Sequence, residues 1–164
     1  YFFSGNFDQA RQYAQRAVKL NPSYPEAHNS LGQAQVHSGK YAEAEPHFNK
    51  AIELNPLDTN AIIYKDGLFF THMGLGNFEI AYSLIQECVA QFSEAGFYKG
   101  FRASVMGYLN KGTEAKEALY EYLALRPNLK KKSDYKKIFV PNSTLADILI
   151  EGLVRAGWQP EEEG

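Results

Sequence analysis

"GKYAEAEPHFNKAIELNP" (residues 39–56) decides the fold. Tyr41, Ala44, Phe48, Ala51, Ile52 and Leu54 fall on one apolar stripe of helical period. Asn55-Pro56 closes the stretch, because proline keeps the residue before it out of the helical region. The spacing therefore predicts one helix ending at Leu54. Pro46 sits about one turn in, where few N–H groups have a partner, so its cost falls well below the ~3 kcal/mol of a mid-helix proline. On the other side of Gly39 stands "PEAHNSLGQAQVHSG" (25–39), which reads as a second helix from about Pro25 to His37. Pro25 suits a first helical turn, and Gly39 suits the turn between the helices, since glycine tolerates positive φ after a helix end.

The opening phrase recurs. "GNFDQA" (5–10), "GKYAEA" (39–44), "GNFEIA" (76–81) and a worn "NKGTEA" (110–115) follow at intervals of 34, 37 and 34. A second phrase, "KLNP" (19–22), "ELNP" (53–56) and "ALRP" (124–127), keeps the same irregular beat. Two phrases sharing one irregular spacing mark a true repeat. Each unit reads as helix, turn, helix. Gly32, Ala34, Ala44 and Ala51 let two antiparallel helices approach, while Leu31, Tyr41 and Phe48 fill the space beside them. One such pair cannot bury its own apolar face and must stack on copies of itself.

Leu31-Gly32, Gly39, Tyr41, Ala44, Phe48, Ala51 and Pro56 in a 34-residue frame resemble the tetratricopeptide repeat. The resemblance spans residues 1 to about 128 and implies an all-α, right-handed α-solenoid of about three and a half repeats. Several positions depart from the pattern. His28 stands at the family's first aromatic position, and the first unit keeps only the end of its first helix, Tyr1–Ser4. The third unit holds three extra residues between Pro56 and Gly76, and Ser93 replaces its closing proline. Its first helix, roughly Asn60–Met73, is apolar around most of its circumference. In the fourth unit, about Phe97 to Pro127, Tyr122 stands where Ala17, Ala51 and Cys88 stand earlier, so local packing must differ.

Residues 129–164 read as a basic linker and a capping helix packed on the array. The linker is "KKKSDYKK" (130–137). In the helix that follows, Leu145, Ile148, Leu149, Gly152, Leu153 and Ala156 share one face, with Thr144 and Asp147 as a weak capping-box signal, Asn142 or Ser143 as alternative caps, and Gly157 as a stop. "LRPNL", Phe139 with Pro141, and "EGLVRAGW" resemble the tail of bacterial proteins with C-terminal tetratricopeptide repeats, among them adenylate/guanylate cyclase-like proteins and DNA-binding regulators. That resemblance implies the C-terminal part of a larger signalling or regulatory protein. Tyr1 falls in the middle of a repeat, which reads the same way.

With 45% hydrophobic and 22% charged residues, the 164-residue chain has a folded composition. Its net charge of −2 and pI near 6.1 give no general pull toward nucleic acid or anionic membrane. Lys130, Lys131, Lys132, Lys136 and Lys137 form a local basic run that reads first as a solvated face; the alternative is contact with the phosphates of a nucleic acid or anionic lipid, with Tyr135 stacking between them. No apolar run reaches the roughly 18–20 residues of a membrane span, and the single cysteine, Cys88, reads as a buried small residue compatible with a reducing cytoplasm. Glu43 and His47 lie four apart without a third ligand, and no phosphate or dinucleotide fingerprint occurs. No catalytic group, metal or cofactor is expected.

The repeat family lines its inner groove with residues of each unit's first helix. Carried over, these are Glu26, Asn29, Gln33, Val36 and His37 in the second unit, and Asn60, Ile63, Gly67, Phe70 and Thr71 in the third. In the fourth they are Phe97, Gly100, Phe101, Ser104 and Tyr108. Asn29, Gln33 and His37 share one helical face. Asn29, Gln33, Val36, His37, Ile63, Phe70, Phe101 and Tyr108 are the expected binding set, with amides for an extended peptide's backbone and aromatic residues for its apolar side chains. The basic residues with which some family members clamp a terminal carboxylate are absent. The expected function is non-enzymatic binding of a protein or peptide; the alternatives are self-association into a homo-oligomer, or the regulatory part of an enzyme such as a nucleotide cyclase.

Overall fold

The computed structural model describes residues 7–56, 61–137 and 143–163. They form helices α1 (Phe7–Leu20), α2 (Pro25–His37), α3 (Tyr41–Leu54), α4 (Ala61–Leu75), α5 (Phe78–Gln91), α6 (Gly96–Tyr108), α7 (Gly112–Ala124), α8 (Lys132–Lys136) and α9 (Ser143–Arg155). The fold is all-α, of the α-solenoid kind. No strand occurs among the described residues, whose one β-bridge joins Lys131 to Glu161. The chain divides into two compact units, residues 1–76 and 77–164.

In the first unit α2 packs against both α1 and α3, and α4 packs on α3 and α2. The α2–α3 turn is closed by Lys40 N–H donating to the Gln35 carbonyl at 2.8 Å and Gly39 N–H to Val36 at 3.0 Å. That double closure requires a left-handed residue, and Gly39 supplies it with φ +72°. Phe48 is the wedge of the unit: it is fully buried, and its ring lies against the α-carbons of Gly32 on α2 and Gly67 on α4. A β-carbon on Gly32 would stand 2.8 Å from the ring, so both glycines are demanded by the close approach. Thr71, wholly enclosed, donates its hydroxyl to the Gly67 carbonyl at 2.9 Å within α4.

In the second unit α6 packs on α5 and α7, and Lys111 N–H donates to the Met106 carbonyl at 3.1 Å, repeating the Lys40–Gln35 closure. Asn110, with φ +52°, takes the place of Gly39; asparagine tolerates that region better than other side chains. The worn fourth phrase thus keeps its turn geometry with a different residue. Tyr122 is accommodated by Gly100, whose added β-carbon would meet the tyrosine ring at 2.8 Å.

Helix α9 lies principally on α6 and touches α8. Leu145, Leu149 and Leu153 are buried along it, and Ala156 is buried just beyond its end. Gly107 of α6 meets the Gly152 carbonyl, and Ser104 Oγ donates to the Leu149 carbonyl at 2.9 Å. The lysine run is folded into this unit. Lys130 pairs with Glu161 (3.8 Å), Lys136 with Asp147 (2.6 Å) and Lys137 with Asp134 (3.1 Å), while Tyr135 is 1% exposed beside Trp158. Tyr135 is therefore a core residue and offers no face to a nucleotide base.

Candidate functional site

The turn residues Gly39, Gly76 and Asn110 fix a common register for α2, α4 and α6. Thirteen, ten and six residues before them stand Glu26, Asn29 and Gln33 on α2, then Ile63, Asp66 and Phe70 on α4, then Phe97, Gly100 and Ser104 on α6. In the first unit all six of these residues keep some exposure, with Glu26 and Ile63 the most open. Three residues before the turn stand Val36, Met73 and Gly107, all buried. Val36 is fully enclosed and lies beneath the face rather than on it.

Two residues before the turn a second regularity emerges. His37 stacks on Phe7 with centroids 5.1 Å apart, Tyr108 stacks on Phe78 at 4.0 Å, and Gly74 lies against the ring of Tyr41. Each pair joins the aromatic residue that opens one repeat's second helix to the end of the next repeat's first helix, and each lies within one compact unit. His37, half-buried, has its pKa lowered by desolvation. Tyr108 donates its hydroxyl to the Ile148 carbonyl at 2.9 Å and lies under the Arg155 guanidinium at 4.9 Å, so its ring is enclosed by its own chain on both faces. Phe101 is 5% exposed, packed beside Phe97 and Tyr98, whereas Phe97 is 42% exposed.

Asp66 occupies on α4 the position that Asn29 holds on α2. Sequence reasoning missed it because the three extra residues before Gly76 disturb any count made forward from Pro56; counting back from Gly76 recovers it. Gly67 and Thr71 face inward instead, and Asn60 lies outside the described residues. Burial pushes the Asp66 carboxyl up to about 7.

Outside this face, His28 Nε2 lies 3.0 Å from the Pro22 carbonyl and His28 Nδ1 lies 3.1 Å from His47 Nδ1. The carbonyl accepts only, so Nε2 carries the proton, and the neutral pair is joined by His47 Nδ1–H donating to His28 Nδ1. Among the described residues no group of three or more His, Cys, Asp or Glu is arranged to hold a metal, and no helix is long and apolar enough to cross a membrane. Cys88 is fully buried.

Residues 1–59 match the sequence model of the tetratricopeptide repeat family. Over 61 residues the chain is 36% identical to a DnaJ homolog subfamily C member 7 homolog of Schizosaccharomyces pombe, covering 37% of this chain and 13% of that protein. Over 66 residues it is 38% identical to heat shock protein STI1 of Saccharomyces cerevisiae, covering 40% of this chain and 11% of that protein. The chain thus spans only about an eighth of these relatives' length. Among solved structures, MamA superposes with a TM-score of 0.66 at 19% identity, covering 93% of this chain and 88% of that one. A tetratricopeptide repeat protein from Parabacteroides merdae superposes with a TM-score of 0.60 at 16% identity, covering 93% and 65% respectively. Tetratricopeptide repeat sequence is thus matched at the start of the chain, and the helical repeat fold of these structures extends over nearly all of it.

Proposed function

We propose that this chain is a non-enzymatic protein-interaction module that binds an extended peptide segment across the face of α2 and α4. The carrying observation is the set of partly exposed residues on one face of two neighbouring helices, Asn29 and Gln33 on α2 and Ile63 and Phe70 on α4, with Gln33 and Phe70 at the same register position. Amide side chains meet a peptide's backbone groups, and the apolar pair receives its side chains. Val36 and His37 support this face from beneath and by stacking; in the second unit, taken by itself, Phe97 is the exposed residue at the corresponding register position of α6, with Phe101 buried beside it. Helix α9 serves as the cap of the array. The tail's resemblance to bacterial regulators supports a place at the C-terminus of a larger cytoplasmic signalling or regulatory protein.

The test is selection from a displayed library of random peptides, using this chain and an Asn29→Ala/Gln33→Ala/Phe70→Ala variant of unchanged circular dichroism. Peptides that bind the parent and lose affinity for the variant support the reading. Peptides that bind both equally, or none at all, sink it. A second reading, self-association, is favoured by the α1–α2 edge, where Tyr13 and Tyr24, 55% and 49% exposed, line a shallow hollow together with Ala10 and Ala14, and where Leu20 at the end of α1 is 77% exposed. Light scattering across a concentration series separates the two.

A further inference from the structure

The face of α2 and α4 has a polarity. Asn29 Oδ1 and Asp66 Oδ1 are both enclosed, and neither accepts a hydrogen bond among the described residues. A buried acceptor left without a donor costs about 1–3 kcal/mol, more for a charged group. Two such atoms at the same register position of neighbouring helices are an arrangement that a ligand can complete. The helices are close at this level, since Gly32 and Gly67 both lie against the Phe48 ring. Asn29 is three residues before Gly32, and Asp66 immediately precedes Gly67.

The remaining residues agree in sign. Glu26 is exposed on α2, and none of the six positions on this face carries a basic side chain. Ile63 and Phe70 flank Asp66 three before and four after, on its own side of α4, and Ile63 is 45% exposed. An apolar shelf beside an acceptor suits a side chain with an aliphatic stem and a cationic head. Burial raises the Asp66 pKa, and a cation within contact distance would favour the ionised form and lower it.

Resting on the peptide-binding reading, we propose that this face selects a ligand with a lysine or arginine side chain. Its N–H donors go to Asp66 and Asn29, and its stem lies along Ile63 and Phe70. The bonds are charge-assisted and so stronger than those a neutral amide donor would make. Phe70 adds the attraction of an aromatic face for a cation.

The test uses fluorescein-labelled nine-residue peptide pools whose central residue is Arg, Lys, norleucine or Glu and whose other positions mix Ala, Ser and Leu. Binding is read by anisotropy for this chain and for Asp66→Asn. The expected result is about tenfold tighter binding of the Arg and Lys pools than of the other two, abolished by Asp66→Asn. In parallel, carbon-detected NMR follows the Asp66 carboxyl as N-acetyl-arginine N-methylamide or its norleucine counterpart is added; only the arginine probe should lower its titration midpoint. Equal binding of all four pools, or an Asp66→Asn variant that still prefers Arg and Lys, overturns the proposal and leaves peptide binding standing. If no pool binds and neither probe moves Asp66, both readings fall together.

Discussion

Asp66 makes the free protein pay at neutral pH, and Asp66→Asn should recover that stability. In the folded chain the carboxyl is raised from 3.8 to about 7 by burial alone. The folded state therefore holds its proton more tightly than the unfolded chain does. The stabilising contribution is complete below about pH 4, declines as the pH rises toward 7, and is gone above it. Each tenfold difference in proton affinity is worth about 1.4 kcal/mol, which sets a ceiling of about 4 kcal/mol at pH 8. Asp66 is only half-buried as a residue, so a gain on the order of 2 kcal/mol is the realistic expectation. Other titrating or charged groups of α2–α4 include Glu26, Lys65 and the His72–Glu45 pair at 3.9 Å, and they are unchanged in the variant. Taking the difference between parent and variant removes them.

Urea unfolding followed by far-ultraviolet circular dichroism at pH steps from 4 to 8 measures this difference. Circular dichroism is needed because the only tryptophan, Trp158, lies in the second unit and reports there. The variant should match the parent at pH 4 and exceed it progressively up to pH 8. A gain that is the same at every pH, or largest at pH 4, would refute the desolvation argument.

Two further outcomes follow from the packing. Gly107→Ala should lower the stability of the second unit by about 2–4 kcal/mol, read by Trp158 fluorescence in urea, because the new β-carbon meets the Gly152 carbonyl and stands 2.8 Å from Ala156 N, and backbone cannot rotate aside. The His28–His47 pair should weaken the first unit in acid: burial and the neighbouring His28 lower the His47 pKa, so its contribution is present above about pH 6.5 and lost as the pH falls. His47→Gln should flatten that acid-side loss in the same titration, and an unchanged slope would count against the pair.

The repeat was legible because the phrase after each turn and the closing Leu-x-Pro keep one irregular spacing, and α2 begins and ends where proline and glycine chemistry place it. The third unit was harder to read. Its first helix is apolar nearly all round because Ile62, Tyr64, Leu68, Phe69 and Met73 are all buried, and such a helix carries little periodic signal to say which side is the face. Val36 and Phe101 carried the family's register yet lie inside, because a position on the inner side of a helix becomes core wherever the next helix comes close. Asp66 was readable in principle, since only the count back from Gly76 was needed.

What the sequence concealed most completely is why the opening phrase recurs at all. Phe7, Tyr41 and Phe78 each stand second after the turn position, and each meets the end of the next unit's first helix, at His37, Gly74 and Tyr108. The aromatic residue is thus the joint between these successive repeats, and a repeat that lacks it cannot receive a neighbour in the same way. In the fourth unit that position is Gly112, with φ +51° and no side chain to offer. The helix that follows does dock differently: α4 packs on α3 as well as α2, whereas α9 lies principally on α6. Its seat is built from Gly107, Gly152 and the Ser104 hydroxyl in place of an aromatic ring. The worn residues of "NKGTEA" therefore mark the place where the stacking rule of the repeat changes, and the close-packed glycines of α6 and α9 are the contact that replaces it.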